Sequence, residues 1–359
     1  MQRPLRRRYP RLSPERNSDG LKGLLYAVAV AFIAIALAAA AYLSASGTVT
    51  TTPNPYNAII GVDGSYLLPS QMNLPAEYGI RWMRFDVNFL PSTEKEFKNL
   101  SAENYSILGI LDYETMCDSQ NYTGIECNWT LSDWNASVAN AVLEYPYIPV
   151  WEVWNQPQFP TYYSGYYNGS PENYYMMAKS AYNIIKSSDR NDTVVCLGGD
   201  NAYTGSAHQD QYDYNWAVQL WSYGAAKYCD DISLHVYTNM QQLSGEAYPG
   251  ITQREWINAT LSAYENLTSK PILITEIGMP SNDSTDPSLG LDNTNASQSE
   301  FLNQSFSLLL SKSYVAGIFW FNLYGAVKPP YELDYGLFTG NMKPKPSAYA
   351  FMKFSERHG

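Results

Sequence analysis

The sequence predicts an α/β fold, a closed (β/α)8 barrel of the TIM type. Eight short runs rich in β-branched and aromatic residues recur at 57–64, 80–87, 106–113, 148–155, 193–199, 231–238, 271–278 and 316–325. Most intervals between them hold a helix-like stretch, and strands alternating with helices argue for a parallel sheet. Eight such units in a body of this length match a closed barrel. The alternative is an open doubly wound sheet, but no Gly-rich phosphate loop follows the first run.

Residues 1–23 are a basic tail, with Arg3, Arg6, Arg7, Arg8, Arg11, Arg16 and Lys22 against Glu15 and Asp19. Residues 24–43 (LLYAVAVAFIAIALAAAAYL) are apolar and uncharged, about long enough to cross a bilayer as a helix. Tyr26 and Tyr42 stand near its ends, where aromatic rings favour the interface. The basic tail would stay cytoplasmic and the body outside, making a single-pass cell-membrane protein with an extracellular barrel. The other reading is a signal peptide cleaved at the small residues Ser44–Gly47. Residues 44–56 are small, polar and Pro-containing, a linker, and 57–354 form the barrel. Within it, 170–187 opens with Ser170 as N-cap, Pro171 at N1 and Glu172 in the first turn, which predicts a helix. Another is expected over 297–312, where Phe301, Leu302, Ser305, Leu308 and Leu309 share a face.

Composition narrows the function. The chain has 359 residues, 45 % of them hydrophobic, so it can bury a sizeable core. Net charge is −11, and the basic tail leaves the body more acidic still. That is a poor nucleic-acid binder, because phosphate contacts need a basic face. Three His and four scattered Cys form no metal cluster, and no organic cofactor is implied. Glycosylation acceptors are dense: Asn99, Asn104, Asn121, Asn128, Asn135, Asn191, Asn258, Asn266, Asn282, Asn295 and Asn303. Asn168 also matches, with Pro171 just after its Ser170. These sites suit an exterior glycoprotein. Cys117 and Cys127 flank a short loop that a disulfide would close, worth roughly 3 kcal/mol. Cys196 and Cys229 are either a second pair or two buried thiols. Oligomeric state has no signature.

Active sites of such barrels sit at the C-terminal strand ends. The residues there are Arg84 and Asp86, Asp112 and Glu114, Asn155 and Gln156, His235 and Tyr237, Glu276, then Trp320 and Asn322. A set of carboxylates, amides and rings suits sugars, whose hydroxyls accept hydrogen bonds and whose faces stack on rings.

Four segments carry a resemblance. WEVWNQPQ (151–158), LHVYT (234–238), ILITEIGMPS (272–281) and GLFTGNMKPKPSAYAFMKF (336–354) resemble, in order, segments of clan A glycoside hydrolases, the retaining barrel group. The resemblance implies that Glu276 is the nucleophile. It also implies that Asn155 binds the sugar's 2-hydroxyl and that Arg84 and Tyr237 support Glu276. Trp320 would be the stacking platform, with His235 divided between site and core. Glu152 shares strand parity with Gln156 and points inward, where pairing with Arg84 would offset its buried charge.

The departure lies at Gln156, where the clan carries its acid/base Glu. Gln can donate a hydrogen bond but supplies no proton, and losing a general acid costs about 10²–10⁴-fold. Three explanations stand: a substitution introduced to trap substrate, a natural enzyme with another acid or activated substrates, and an inactive glycan binder or cell-surface structural protein. Myrosinases of the same clan also carry Gln at the matching place. Glu114, Asp112 and Asp200 are the candidates for another acid.

Overall fold

A computed structural model describes residues 58–64, 67–117, 128–158, 165–201, 208–236, 246–248, 251–281, 294–325 and 334–358. The chain divides into two units, Met1–Thr51 and Thr52–Gly359. The first, with the segment 24–43, lies outside the described residues. Among those described, no helix is long and apolar enough to cross a membrane.

Eight parallel strands close into a barrel: β1 (Ile59–Asp63), β2 (Trp82–Asp86), β3 (Ser106–Leu111), β4 (Val150–Val153), β5 (Thr193–Asn201), β6 (Asp231–His235), β7 (Ile272–Ile277) and β8 (Val315–Trp320). Each strand pairs with its sequence neighbour, and β8 closes on β1 through Ile59↔Gly317 to Val62↔Trp320. All eight expected strands are present. Seven helices follow β2 to β8 in turn: α1 (Pro91–Ala102), α2 (Leu131–Glu144), α3 (Pro171–Ser188), α4 (His208–Ser222), α5 (Gln253–Leu267), α6 (Asn295–Leu310) and α7 (Pro346–His358). Among the described residues after β1, a 3-10 turn (Pro69–Gln71) and one short helix (Leu74–Glu77) stand in the helix position.

The strand-to-helix turns are written locally. The hydroxyls of Thr130, Ser170, Thr252 and Thr294 accept from the backbone N–H three residues on, capping α2, α3, α5 and α6. Asp133 and Glu255 answer back to the cap residue's N–H, closing two capping boxes. These caps start each helix at a fixed point after its strand, which fixes where the strand end opens into the site.

Apolar side chains fill two layers. The lower lumen holds Leu108, Val150, Val195, Leu273, Ala316 and Phe319, and Ile110 of the same cluster reaches the wall of the cleft above. The layer between barrel and helices holds most of the rest, including the fully buried Trp134, Trp151, Trp154 and Trp256. Each large side chain buried this way contributes roughly 1.5–3 kcal/mol. Cys196 of β5 and Cys229, just before β6, are joined in a disulfide, which decides between the two readings of that pair. Cys117 is also disulfide-bonded, and Cys127 lies outside the described residues.

None of the described acceptor asparagines is buried. Asn104, Asn128, Asn168, Asn191 and Asn266 are exposed, and Asn99, Asn135, Asn258, Asn295 and Asn303 are half-buried. Asn121 and Asn282 lie outside the described residues.

Candidate active site

The upper lumen is polar and organised around one cation. Arg84 is only 2 % exposed. Its Nε donates to Glu152 Oε2 at 2.6 Å, and Nη1 donates to Glu276 Oε1 at 2.8 Å. Nη1 also reaches Asp63 Oδ2 at 3.1 Å, and Nη2 donates to Asn155 Oδ1 at 3.0 Å. The expected pairing of Arg84 with Glu152 is therefore present. Burial works against the charge of Arg84, and Glu152, Asp63 and Glu276 more than offset it. Burial likewise pushes the Glu152 and Asp63 carboxyls up, with Arg84 pulling both back down.

Glu276 reaches this centre through a β-bulge. On β7, Leu273 faces the lower lumen, so strict alternation would turn Glu276 outward. The pairings slip instead, with Ile318↔Ile274 followed by Trp320↔Ile277, and Leu234↔Ile274 followed by His235↔Glu276. The extra residue returns Glu276 to the lumen.

His235 ends β6, fully buried, with Nε2 3.3 Å from Glu276 Oε1. Its Nδ1 is 3.0 Å from the amide nitrogen of Gln156. With that nitrogen towards the ring, Nδ1 accepts and the ring proton sits on Nε2, facing the carboxylate. Burial first, and Arg84 as well, push His235 down to about 4 despite Glu276, so the ring is neutral at ordinary pH. Room for the ring comes from Gly199, where an added Cβ would sit 2.1 Å from His235 Nε2. Gly199 has φ +79°, and Gly198 has φ +61° with its missing Cβ 2.3 Å from Trp154 O.

The turn after β4 is strained. Trp154 and Gln156 have φ of 68° and 46°, uncommon for residues with side chains. The Gln156 N–H donates to Gly198 O at 2.6 Å, tying the turn to the glycine bulge of β5.

Above Arg84 opens a cleft of about 270 Å³, lined among others by Asp63, Asp86, Glu114, Asn155, Glu276 and Asn322. Glu114 lies in the first turn of the short helix Tyr113–Met116 after β3, whose N-cap Asp112 accepts from Glu114 N at 2.8 Å. Burial and the charge of Asp86 push Glu114 up to about 7. Asp112 is wholly buried and held well above the usual carboxylate range by burial, Asp86 and Glu114.

Glu276, Arg84, Asn155, Gln156 and His235 thus converge. Tyr237 lies outside the described residues, and Asp200 falls near the end of β5. The sugar platform expected at Trp320 is a correction. Its neighbour Phe319 fills the lumen, so Trp320 faces the helix layer, fully buried against Phe301 and Phe306. Its indole N–H donates to Tyr335 O at 2.9 Å. The rings in the cleft wall are instead Phe85 and Phe321, the latter next along and inward by alternation. Asp63 was missed in sequence, although GVDG at a strand end carried the same signal as the other strand ends. Among the described residues no group of three or more His, Cys, Asp or Glu side chains could hold a metal ion.

Residues 200–336 match a family model described as the glycosyl hydrolase catalytic core. The fold is glycoside-hydrolase-like. Among solved structures, a family 39 glycoside hydrolase from the gut symbiont Bacteroides cellulosilyticus WH2 has TM-score 0.61 and 19 % identity, over 83 % of this chain and 64 % of that one. Ruminococcus gnavus β-glucuronidase has TM-score 0.56 and 15 % identity, over 83 % and 50 %. A GH2 β-galacturonidase from Eisenbergiella tayi has TM-score 0.55 and 13 % identity, over 85 % and 51 %. The glycoside-hydrolase-like chain therefore spans half to under two-thirds of the length of these proteins. No curated protein matches it in sequence.

Proposed function

We propose that this protein is an extracellular, membrane-anchored glycoside hydrolase acting on oligo- or polysaccharides with retention of configuration. Glu276 is its nucleophile, and Gln156 occupies the place of the clan's acid/base. The observation that carries this is the fixing of Glu276. One oxygen accepts from Arg84 and lies 3.3 Å from His235 Nε2, in a cleft that Asn155 shares. A carboxylate oriented this way can attack an anomeric carbon and form a glycosyl-enzyme, which water then releases. Arg84 and the neutral His235 position it, Asn155 meets the 2-hydroxyl, and Tyr237 adds a further donor. That chemistry needs no cofactor.

The test is labelling of the full chain with 2-deoxy-2-fluoro-β-glycosyl fluorides of glucose, galactose, xylose and glucuronic acid. A single sugar adduct on Glu276 by peptide mass spectrometry is expected, with proton NMR of the product showing retention. A second reading, an inactive glycan-binding protein on the same barrel, is favoured by the engagement of the Gln156 amide with His235. Saturable glycan binding without any adduct would select it.

A further inference from the structure

The retaining reading leaves one requirement open, because Gln156 carries no transferable proton and its amide is spent on His235. A second groove answers this. It has a volume of about 580 Å³ and lies between the turn after β1 and helix α1. Its walls combine apolar Leu67 and Leu90 with polar Asn88 and Ser92 and the charged Lys95 and Glu96. Among the described residues, Glu114 is the one side chain that lines both this groove and the cleft of Glu276. A glycoside bound with its reacting sugar in the cleft and its leaving group in the groove would pass its glycosidic oxygen by Glu114.

We infer that Glu114 is the proton donor for the leaving group and afterwards the base for water, with the adjoining groove receiving the leaving-group side of the substrate. This rests on the retaining reading above. In the first step a Glu276 oxygen bonds to the anomeric carbon, the bond to the leaving oxygen breaks, and that oxygen takes the Glu114 proton. In the second, the Glu114 carboxylate takes a proton from water. The water oxygen bonds to the anomeric carbon and displaces Glu276. One water is consumed, and both carboxyl groups return to their starting states.

The surroundings suit the role. Burial and Asp86 raise Glu114, while hydrogen bonds from Asn88 and Tyr113 lower it, leaving it at about 7. It can therefore hold its proton at neutral pH and still release it. The chemistry of the groove wall points to a leaving group with an apolar face and several hydroxyls, as a second sugar ring has.

The experiment compares hydrolysis of 2,4-dinitrophenyl and methyl β-glycosides of the same four sugars by the full chain and by Glu114→Ala. A missing general acid hurts most where the leaving group is poor. Methyl glycoside turnover should fall by about 10²–10⁴-fold while glycosylation by the activated substrate changes by less than about 10-fold. Sodium azide should restore turnover of the activated substrate and yield a glycosyl azide of retained configuration, which a merely structural role would not produce. Glu114→Gln repeats the comparison if the Ala variant does not fold. Equal losses on both substrates without azide rescue overturn the role of Glu114. Labelling of Glu276 alongside that result would leave the retaining reading standing. No turnover and no label in the natural chain would remove both.

Discussion

The two halves of the barrel lumen are built on opposite principles. The lower half is a plug of aliphatic side chains plus Phe319, with no charge among them. The upper half holds one guanidinium shared by Asp63, Glu152 and Glu276. Apolar packing is local, since a truncated side chain leaves a cavity that its neighbours only partly fill. A buried ionic centre is not, because removing one partner strands the others in a medium that solvates them poorly. The two halves should therefore answer mutation differently.

The largest effect is expected from Arg84→Met. It leaves three buried carboxylates without their cation and should cost at least about 3–5 kcal/mol, read as the denaturant midpoint or a failure to fold. A Met variant of ordinary stability would show that the carboxylates protonate at little cost, and the contrast between the halves would collapse. Leu273→Ala in the lower plug should cost about 2–5 kcal/mol by cavity formation and leave pH dependence unchanged. Next comes Gly199→Ala, which forces a methyl onto His235 and a side chain into positive φ. About 1–3 kcal/mol of destabilisation is expected, with a drop in glycoside turnover larger than Leu273→Ala produces. Equal activity in the two variants would mean that His235 does not need its present position.

The smallest effect is the pH dependence of stability. Glu96, Glu114 and Asp231 are each raised to about 7, chiefly by burial. A carboxyl that binds its proton more tightly when folded favours the folded state more as pH falls from 7 towards its unfolded value. His235, pushed down to about 4, opposes this below its unfolded pKa. With three groups against one, the unfolding temperature should rise between about pH 7.5 and pH 5. A fall over that range would mean that the carboxyls are less burdened by burial than their positions imply.

Much of this was legible in the sequence because the signals were local. Runs such as IRWMRFDV and PILITEIG are bounded by turn residues, and Ser170–Pro171–Glu172 announces the start of α3. Arg84, Asn155 and Glu276 could be placed together because strand ends of a barrel converge. The direction of a single side chain was harder. Trp320 is one residue from the inward-facing Phe319, and one step along a strand exchanges lumen for helix layer. Glu276 faces inward only because of a bulge that strict alternation does not foresee. The Cys196–Cys229 bond follows from the adjacency of β5 and β6, a tertiary fact invisible across 33 residues of separation.

The crowd of carboxyls around Arg84 has an electrical consequence. Burial raises Asp63, Asp86, Asp112 and Glu152 above their ordinary values, and Glu114, pushed up to about 7, holds its proton loosely near neutrality. Such a wall behaves as a capacitor rather than a fixed potential. When positive charge builds up against it, as at the anomeric centre of a departing sugar, the wall can shed protons and grow more negative in answer. A ligand carrying a permanent positive charge would then enter with release of protons to the medium, and its heat of binding would track the ionisation heat of the buffer.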